Sequence, residues 1–200
     1  MTRIRTHVNP LSITHRFDHL DLKTIVSNSI TDLAFEVGFG RGVFLKQWAK
    51  LNSNSFLIGV EVRKSIVNDV KLKLEKENLN NVSLHHGNAE LFLADAVEDE
   101  SLNHIFVFHP DPWFKKRHHK RRVVNPDFLS LVEKKLKING KLYVSTDVES
   151  LWEAMIETIS NTSLKPVNND PFWTTVYDTH WTTFSVKDER QMFFKSFQKG

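Results

Sequence analysis

The stretch Glu36-Val37-Gly38-Phe39-Gly40-Arg41-Gly42 constrains this chain more than any other. It follows a short apolar run, Leu33-Ala34-Phe35, and precedes a segment whose Val43, Phe44, Gln47, Trp48 and Leu51 fall on related helical faces. Strand, glycine turn and helix together open a βα unit. Glycines are needed where a backbone turns sharply and must approach a ligand with no Cβ in the way. A plain tight turn and a dinucleotide fingerprint are the rival readings. The fingerprint demands G-x-G-x-x-G with a pyrophosphate on the helix N-terminus, whereas the spacing here is G-x-G-x-G and Glu36 leads it. An acid beside the loop repels pyrophosphate. It suits a cationic ligand such as the sulfonium and amine of S-adenosylmethionine.

Beyond this unit, apolar runs alternate with helical patterns. Phe56–Val60, Val82–His85, His104–Phe108 and Lys141–Thr146 read as strands. Helices are expected over Ser65–Asn78, Ala89–Val97, Asp127–Lys137 and Ser150–Ser160, with Pro126 opening the third and Asn139-Gly140 closing it. Leu164–Val167 and Gln191–Phe197 offer two late strands. Five β-α steps followed by two strands predict an α/β fold: a doubly wound, mostly parallel seven-stranded sheet with helices on both faces. Residues 1–30 are polar and weakly patterned, an expected N-terminal arm on a domain spanning 31–200. Met1–His7 contains no apolar core of a leader, and nowhere do 18 apolar residues run together, so a cytoplasmic protein without a membrane span is expected. The sequence is compatible with a monomer and with a homodimer.

Ligands of such sheets lie beyond the carboxyl ends of the strands, and the remaining motifs fall there. Glu61 ends the second strand, where a carboxylate can accept both hydroxyls of a ribose; nicotinamide enzymes use the same device, so alone it does not discriminate. Gly87-Asn88-Ala89-Glu90 follows the third strand, with Asn88 placed to meet an adenine edge, cap the next helix, or do both. His109-Pro110-Asp111-Pro112-Trp113 follows the fourth, and its two prolines restrict the backbone on either side of Asp111.

Net charge is only +3, but its distribution is uneven: every residue from Lys115 to Arg122 is Lys, Arg or His. A charge run is ordinarily a solvated face; directly after an apolar strand it reads as an anion-binding loop, and nucleic acid is the natural partner. With no cysteine in the chain, disulfides and cysteine-ligated zinc or iron–sulfur sites are excluded, and no metal is required. Trp113, Phe114 and Tyr177 are candidates to stack on an extruded base, Trp113 foremost because it stands beside the prolines.

The series E-V-G-F-G-R-G, G-V-E, G-N-A-E, P-D-P-W-F-K-K-R-H-H-K-R-R and S-T-D resembles the bacterial tRNA (guanine-N7-)-methyltransferase family, over Asp32 to Asp147 and again near the C-terminus. The glycine motif alone indicates a class I methyltransferase; the P-D-P-W segment with its basic continuation is far more specific. The resemblance implies that S-adenosylmethionine is held by Glu36, Gly38, Gly40, Glu61, Asn88 and Asp111, with Asp111 catalytic. It further implies that Lys115 and Asp147 meet the substrate nucleotide and that Arg117, His118, His119, Lys120, Arg121 and Arg122 hold tRNA. A C-terminal substrate segment of the form T-x-F-E falls on Thr175-Val176-Tyr177-Asp178, with Thr182-Thr183-Phe184-Ser185 as runner-up. Phe114 stands where the family has a proline. The implied reaction is methyl transfer to guanine N7, at the variable-loop guanosine. A methyltransferase for another RNA, a non-catalytic RNA-binding protein on the same fold and a nicotinamide oxidoreductase are the alternatives; Glu36 and the glycine spacing count against the last.

Overall fold

In the computed structural model, which describes residues 8–21 and 29–200, neighbouring residues of each central strand separate onto two apolar layers. The strands are β1 (Asp32–Val37), β2 (Ser55–Glu61), β3 (Val82–His86), β4 (Leu102–Phe108), β5 (Leu136–Thr146), β6 (Lys165–Val167) and β7 (Phe193–Gln198). The helices are α1 (Val43–Leu51), α2 (Lys64–Lys76), α3 (Ala89–Ala96), α4 (Pro126–Lys135), α5 (Glu149–Ser160), α6 (Phe172–Thr175) and α7 (His180–Lys187). Phe35, Ile58, Ile105 and Leu142 pack with Phe92 of α3, Phe128 of α4 and Met155 of α5. Their neighbours Ala34, Leu57, Phe106 and Tyr143 pack on the other face with Phe44 and Trp48 of α1 and Val70 of α2. Every residue of β2 is buried, as a strand covered on both faces requires.

The sheet order is β3-β2-β1-β4-β5-β7-β6. Strands β1 to β5 are parallel, and β7 runs antiparallel between β5 and β6. The chain crosses from β3 to β4 beside β1, so the strand order reverses at the β1/β4 boundary. That reversal opens a crevice beyond the carboxyl ends of both strands. The expected doubly wound architecture is present.

Three local expectations are corrected. Helix α4 stops at Lys135, and Leu136 leads directly into β5, so Asn139-Gly140 lies inside a strand and closes no helix. There the β4–β5 register slips between the pairs Leu102↔Leu136 and His104↔Lys141. Asn139 takes the left-handed conformation (φ 66°) in this irregularity, which uses the same residue types as a helix stop. Helices α6 and α7 lie in a tail that reads as loop in sequence. The last strand begins at Phe193, two residues later than the pattern suggests.

Residues 8–21 run over α3: Leu20 N–H donates to Ala96 O at 2.9 Å, the Arg16 guanidinium grips the Asp95 carboxylate, and Phe17 meets Phe92 edge-on. Much of the arm expected over 1–30, including the stretch Met1–His7, lies outside the described residues. Among the described residues no helix is long and apolar enough to cross a membrane.

Candidate active site

One cleft of about 320 Å³ opens at the reversal point, and Glu36, Gly38, Gly40, Glu61, Asn88 and Asp111 all line it. Its floor is the glycine turn. Gly38, Gly40 and Gly42 all have positive φ, and at Gly42 a Cβ would also sit 2.7 Å from Val70. Only glycine satisfies both conditions there. The turn brings Gly38 N–H onto Val60 O at 2.7 Å and Gly40 N–H onto Glu61 Oε2 at 3.1 Å, which ties the ends of β1 and β2 together.

Glu36 is buried, and its Oε2 has no hydrogen-bond partner. Burial first, and then the like charge of Glu61, push its pKa up to about 8. A buried acid of this kind is short of positive charge and of donors. A sulfonium ligand that also carries an ammonium supplies both, so these residues fit S-adenosylmethionine. Glu61 is equally buried, but its oxygens are engaged: Arg63 donates to them from its backbone N–H, Nε and Nη2 at 2.9–3.1 Å. Asn88 caps α3, its Oδ1 accepting from Glu90 N–H at 2.9 Å, while its Nδ2 donates to Pro10 O at 3.2 Å. The capping role is therefore met. The second contact brings Val8, Pro10 and Leu11 of the arm to the cleft wall, a contribution that no motif announced.

Asp111 stands on a rigid bridge. His109 (φ 47°) and Trp113 (φ 45°) bracket Pro110-Asp111-Pro112 in left-handed conformations, costing about 1–3 kcal/mol each. The bridge is held on both sides. His109 N–H extends the ladder to Ser145 O at 2.8 Å, and Arg122 Nε donates to Pro112 O at 2.9 Å.

The basic run forms a short 3-10 helix over Lys116–Arg121. Its far end, Lys120, Arg121 and Arg122, lines the cleft together with the carboxylates. Lys116 and Arg117 are exposed, while His118 and His119 are half-buried. Trp113, the expected stacking residue, lines the cleft but is only 8% exposed, with Arg121 over its ring face and His118 against its edge. Its neighbour Phe114, 69% exposed, is the aromatic that this loop presents to solvent.

The substrate residues expected elsewhere do not gather in the cleft. Lys115 is exposed at the start of the 3-10 helix, its carbonyl accepting from His118 N–H at 2.7 Å. The Asp147 side chain is 1% exposed. Arg190 Nη1 and Ser185 Oγ donate to its Oδ2 at 2.8 and 3.1 Å, and His109 Nδ1 faces Oδ1 at 3.6 Å. Thr175 is exposed and bonds Pro171 O, Val176 packs on the core, and Asp178 accepts from Thr182 Oγ1. Tyr177 turns its hydroxyl inward to His109 Nε2 at 2.7 Å and Ser145 Oγ at 2.8 Å, and burial pushes its pKa up. The tail residues that do line the cleft are Thr179, His180 and Trp181. They adjoin the runner-up segment, whose Ser185 reaches Asp147.

A family described as a putative methyltransferase matches residues 31–193. Among solved structures, the 16S rRNA methyltransferase KamB superposes with a TM-score of 0.66 at 14% identity, over 92% of this chain and 95% of that one. The aminoglycoside resistance methyltransferase NpmB1 gives 0.62 at 18%, over 90% and 92%. At such identities the likeness is one of fold. Fold and cleft together define a class I, S-adenosylmethionine-dependent methyltransferase. A curated relative from Prochlorococcus marinus (strain AS9601), a tRNA (guanine-N(7)-)-methyltransferase, is 35% identical over 79% of this chain and 78% of its own length. Another of the same name, from strain MIT 9215, is 32% identical over 95% and 92%. The chain belongs to the tRNA (guanine-N(7)-)-methyltransferase family.

Proposed function

We propose that this chain transfers a methyl group from S-adenosylmethionine to N7 of the variable-loop guanosine of tRNA, and that it works in the cytoplasm. The observation that carries the reading is the shared cleft: Glu36, Glu61 and Asp111 stand in the same cavity as Lys120, Arg121 and Arg122. A cationic nucleoside and a polyanion are thus recognised side by side. In this assignment residues 31–200 are the catalytic domain and 1–30 an arm.

When bound, the cofactor supplies an electrophilic methyl carried on sulfur. Guanine N7 presents a lone pair with no proton to lose, so the chain needs no strong general base. What it supplies is alignment, an effect of large potential size. Glu61 and the glycine turn hold the nucleoside end, with Asn88 at the adenine side. Glu36 meets the positive charge. Asp111, fixed by its two prolines, orients the base and places negative charge beside a ring that becomes cationic. Lys120, Arg121 and Arg122 hold phosphates, which gives affinity without sequence information. The C-terminal substrate segment is assigned to Thr179–Ser185, in place of Thr175–Asp178.

Incubation with unmodified tRNA and cofactor bearing a deuterated methyl, followed by digestion to nucleosides and mass spectrometry, tests the reading. Labelled 7-methylguanosine from the variable loop is the expected product. Label on another nucleoside, or none at all, would replace it.

A further inference from the structure

Arg63 lies two residues beyond the carboxylate assigned to the ribose and folds back onto it. Its backbone N–H and Nε donate to Glu61 Oε1 at 3.1 and 2.9 Å, and its Nη2 donates to Oε2 at 3.1 Å. Gly40 N–H is the fourth donor, to Oε2 at 3.1 Å. An ionised carboxylate offers about four lone-pair positions, and these four N–H groups fill them. Two of the donors are backbone groups, fixed by the glycine turn and by the start of α2. The other two belong to one guanidinium. The Glu61 side chain is 2% exposed and that of Arg63 38%, so the guanidinium is the partner with solvent to move into.

We infer that Arg63 sets the affinity of this site for nucleosides, because its guanidinium occupies the acceptor positions of Glu61 that ribose hydroxyls need and must be displaced by them. The inference rests on the assignment of Glu61 to the ribose. Displacement offsets part of what the hydroxyls contribute, so substrate cofactor and spent cofactor are both held less tightly than Glu61 alone would hold them. Asp111 is the other carboxylate whose charge Arg63 senses, so a displaced guanidinium is drawn toward the reacting end of the cleft.

Calorimetric titration of the wild type, Arg63→Ala and Arg63→Gln with S-adenosylhomocysteine, adenosine and 2′,3′-dideoxyadenosine tests this. The neutral nucleosides separate hydroxyl competition from simple charge repulsion of the ammonium group that S-adenosylhomocysteine carries. Both variants are expected to bind S-adenosylhomocysteine about tenfold tighter, as removal of a competing charged hydrogen bond implies. The preference for adenosine over the dideoxynucleoside should widen by a similar factor. Unchanged or weaker binding by variants of wild-type melting temperature overturns the inference, and so does an equal gain for both nucleosides. A wild type that binds none of the three removes the cofactor assignment as well, a result distinct from failure of the variants alone.

Discussion

The Arg121 guanidinium lies 4.9 Å from the centroid of the Trp113 ring, so the basic loop is pinned to the bridge that carries Asp111. Cation–π contacts are worth about 0.5–2 kcal/mol, enough to fix where the cations stand. Replacing Lys120, Arg121 and Arg122 together by Gln should therefore weaken tRNA binding and flatten its salt dependence, by about 0.7–0.9 in log–log slope for each phosphate left unneutralised. Filter binding across a salt series measures this. An unaltered slope would make the loop a solvated face.

Phe114 projects from the same loop beside Lys115 and Lys116. Stacking of a nucleobase on an aromatic ring contributes about 1–3 kcal/mol and releases no counterions. Phe114→Ala should thus lower tRNA affinity roughly tenfold with the salt slope unchanged, and Phe114→Trp should restore it. A change of slope without weaker binding at low salt would assign the side chain to backbone packing instead.

Glu36 makes the site sensitive to pH. An unfolded glutamate ionises near 4.5, whereas the buried Glu36 holds its proton to about 8. Between those values the folded chain binds the extra proton, so the stability that Glu36 contributes is fully present below the lower value and is lost as pH rises through the upper one. A cationic ligand favours the ionised form. Cofactor binding should therefore release up to one proton and tighten as pH rises toward about 8. Titration with S-adenosylmethionine in buffers of different ionisation enthalpy detects the proton; Glu36→Gln should abolish it. Binding without proton release in the wild type would show that Glu36 is ionised before the ligand arrives.

The sheet is legible in the sequence because its strands are apolar runs cut by Gly and Pro and its helices carry a clear period, as in Phe44, Leu45, Trp48 and Ala49 of α1. The six residues that line the cleft are legible because each sits at or just beyond a strand end, and strand ends converge in this topology. Helix α7 is not: Trp181, Thr182, Thr183, Phe184 and Val186 are poor helix formers, and the Thr179–Thr182 capping box with packing decides the matter. Asp147 does stand at the end of β5, as the pattern places it. Local spacing cannot show Arg190 and Ser185, some forty residues downstream, folding over its carboxylate. The same limit hides His109, whose ring meets Tyr177 and Asp147 only through tertiary contact. The nearby prolines suggest an exposed rim at Trp113, while the cation that covers its ring lies eight residues on.

Asp111 is the rigid carboxylate of the cleft, beside the end of the basic loop. Its direct test is the single-turnover rate of 7-methylguanosine formation in tRNA at saturating cofactor, for the wild type and Asp111→Asn. The amide keeps the size of the carboxylate but loses its charge, and it presents a donor where guanine N–H groups need an acceptor. Removing one preorganised electrostatic contact costs about 10²–10³ in rate, and a decrease of that order is expected with tRNA affinity within about threefold of wild type, because phosphate contacts dominate binding. Turnover by Asp111→Asn at the wild-type rate would contradict the account and leave alignment alone to explain the chemistry.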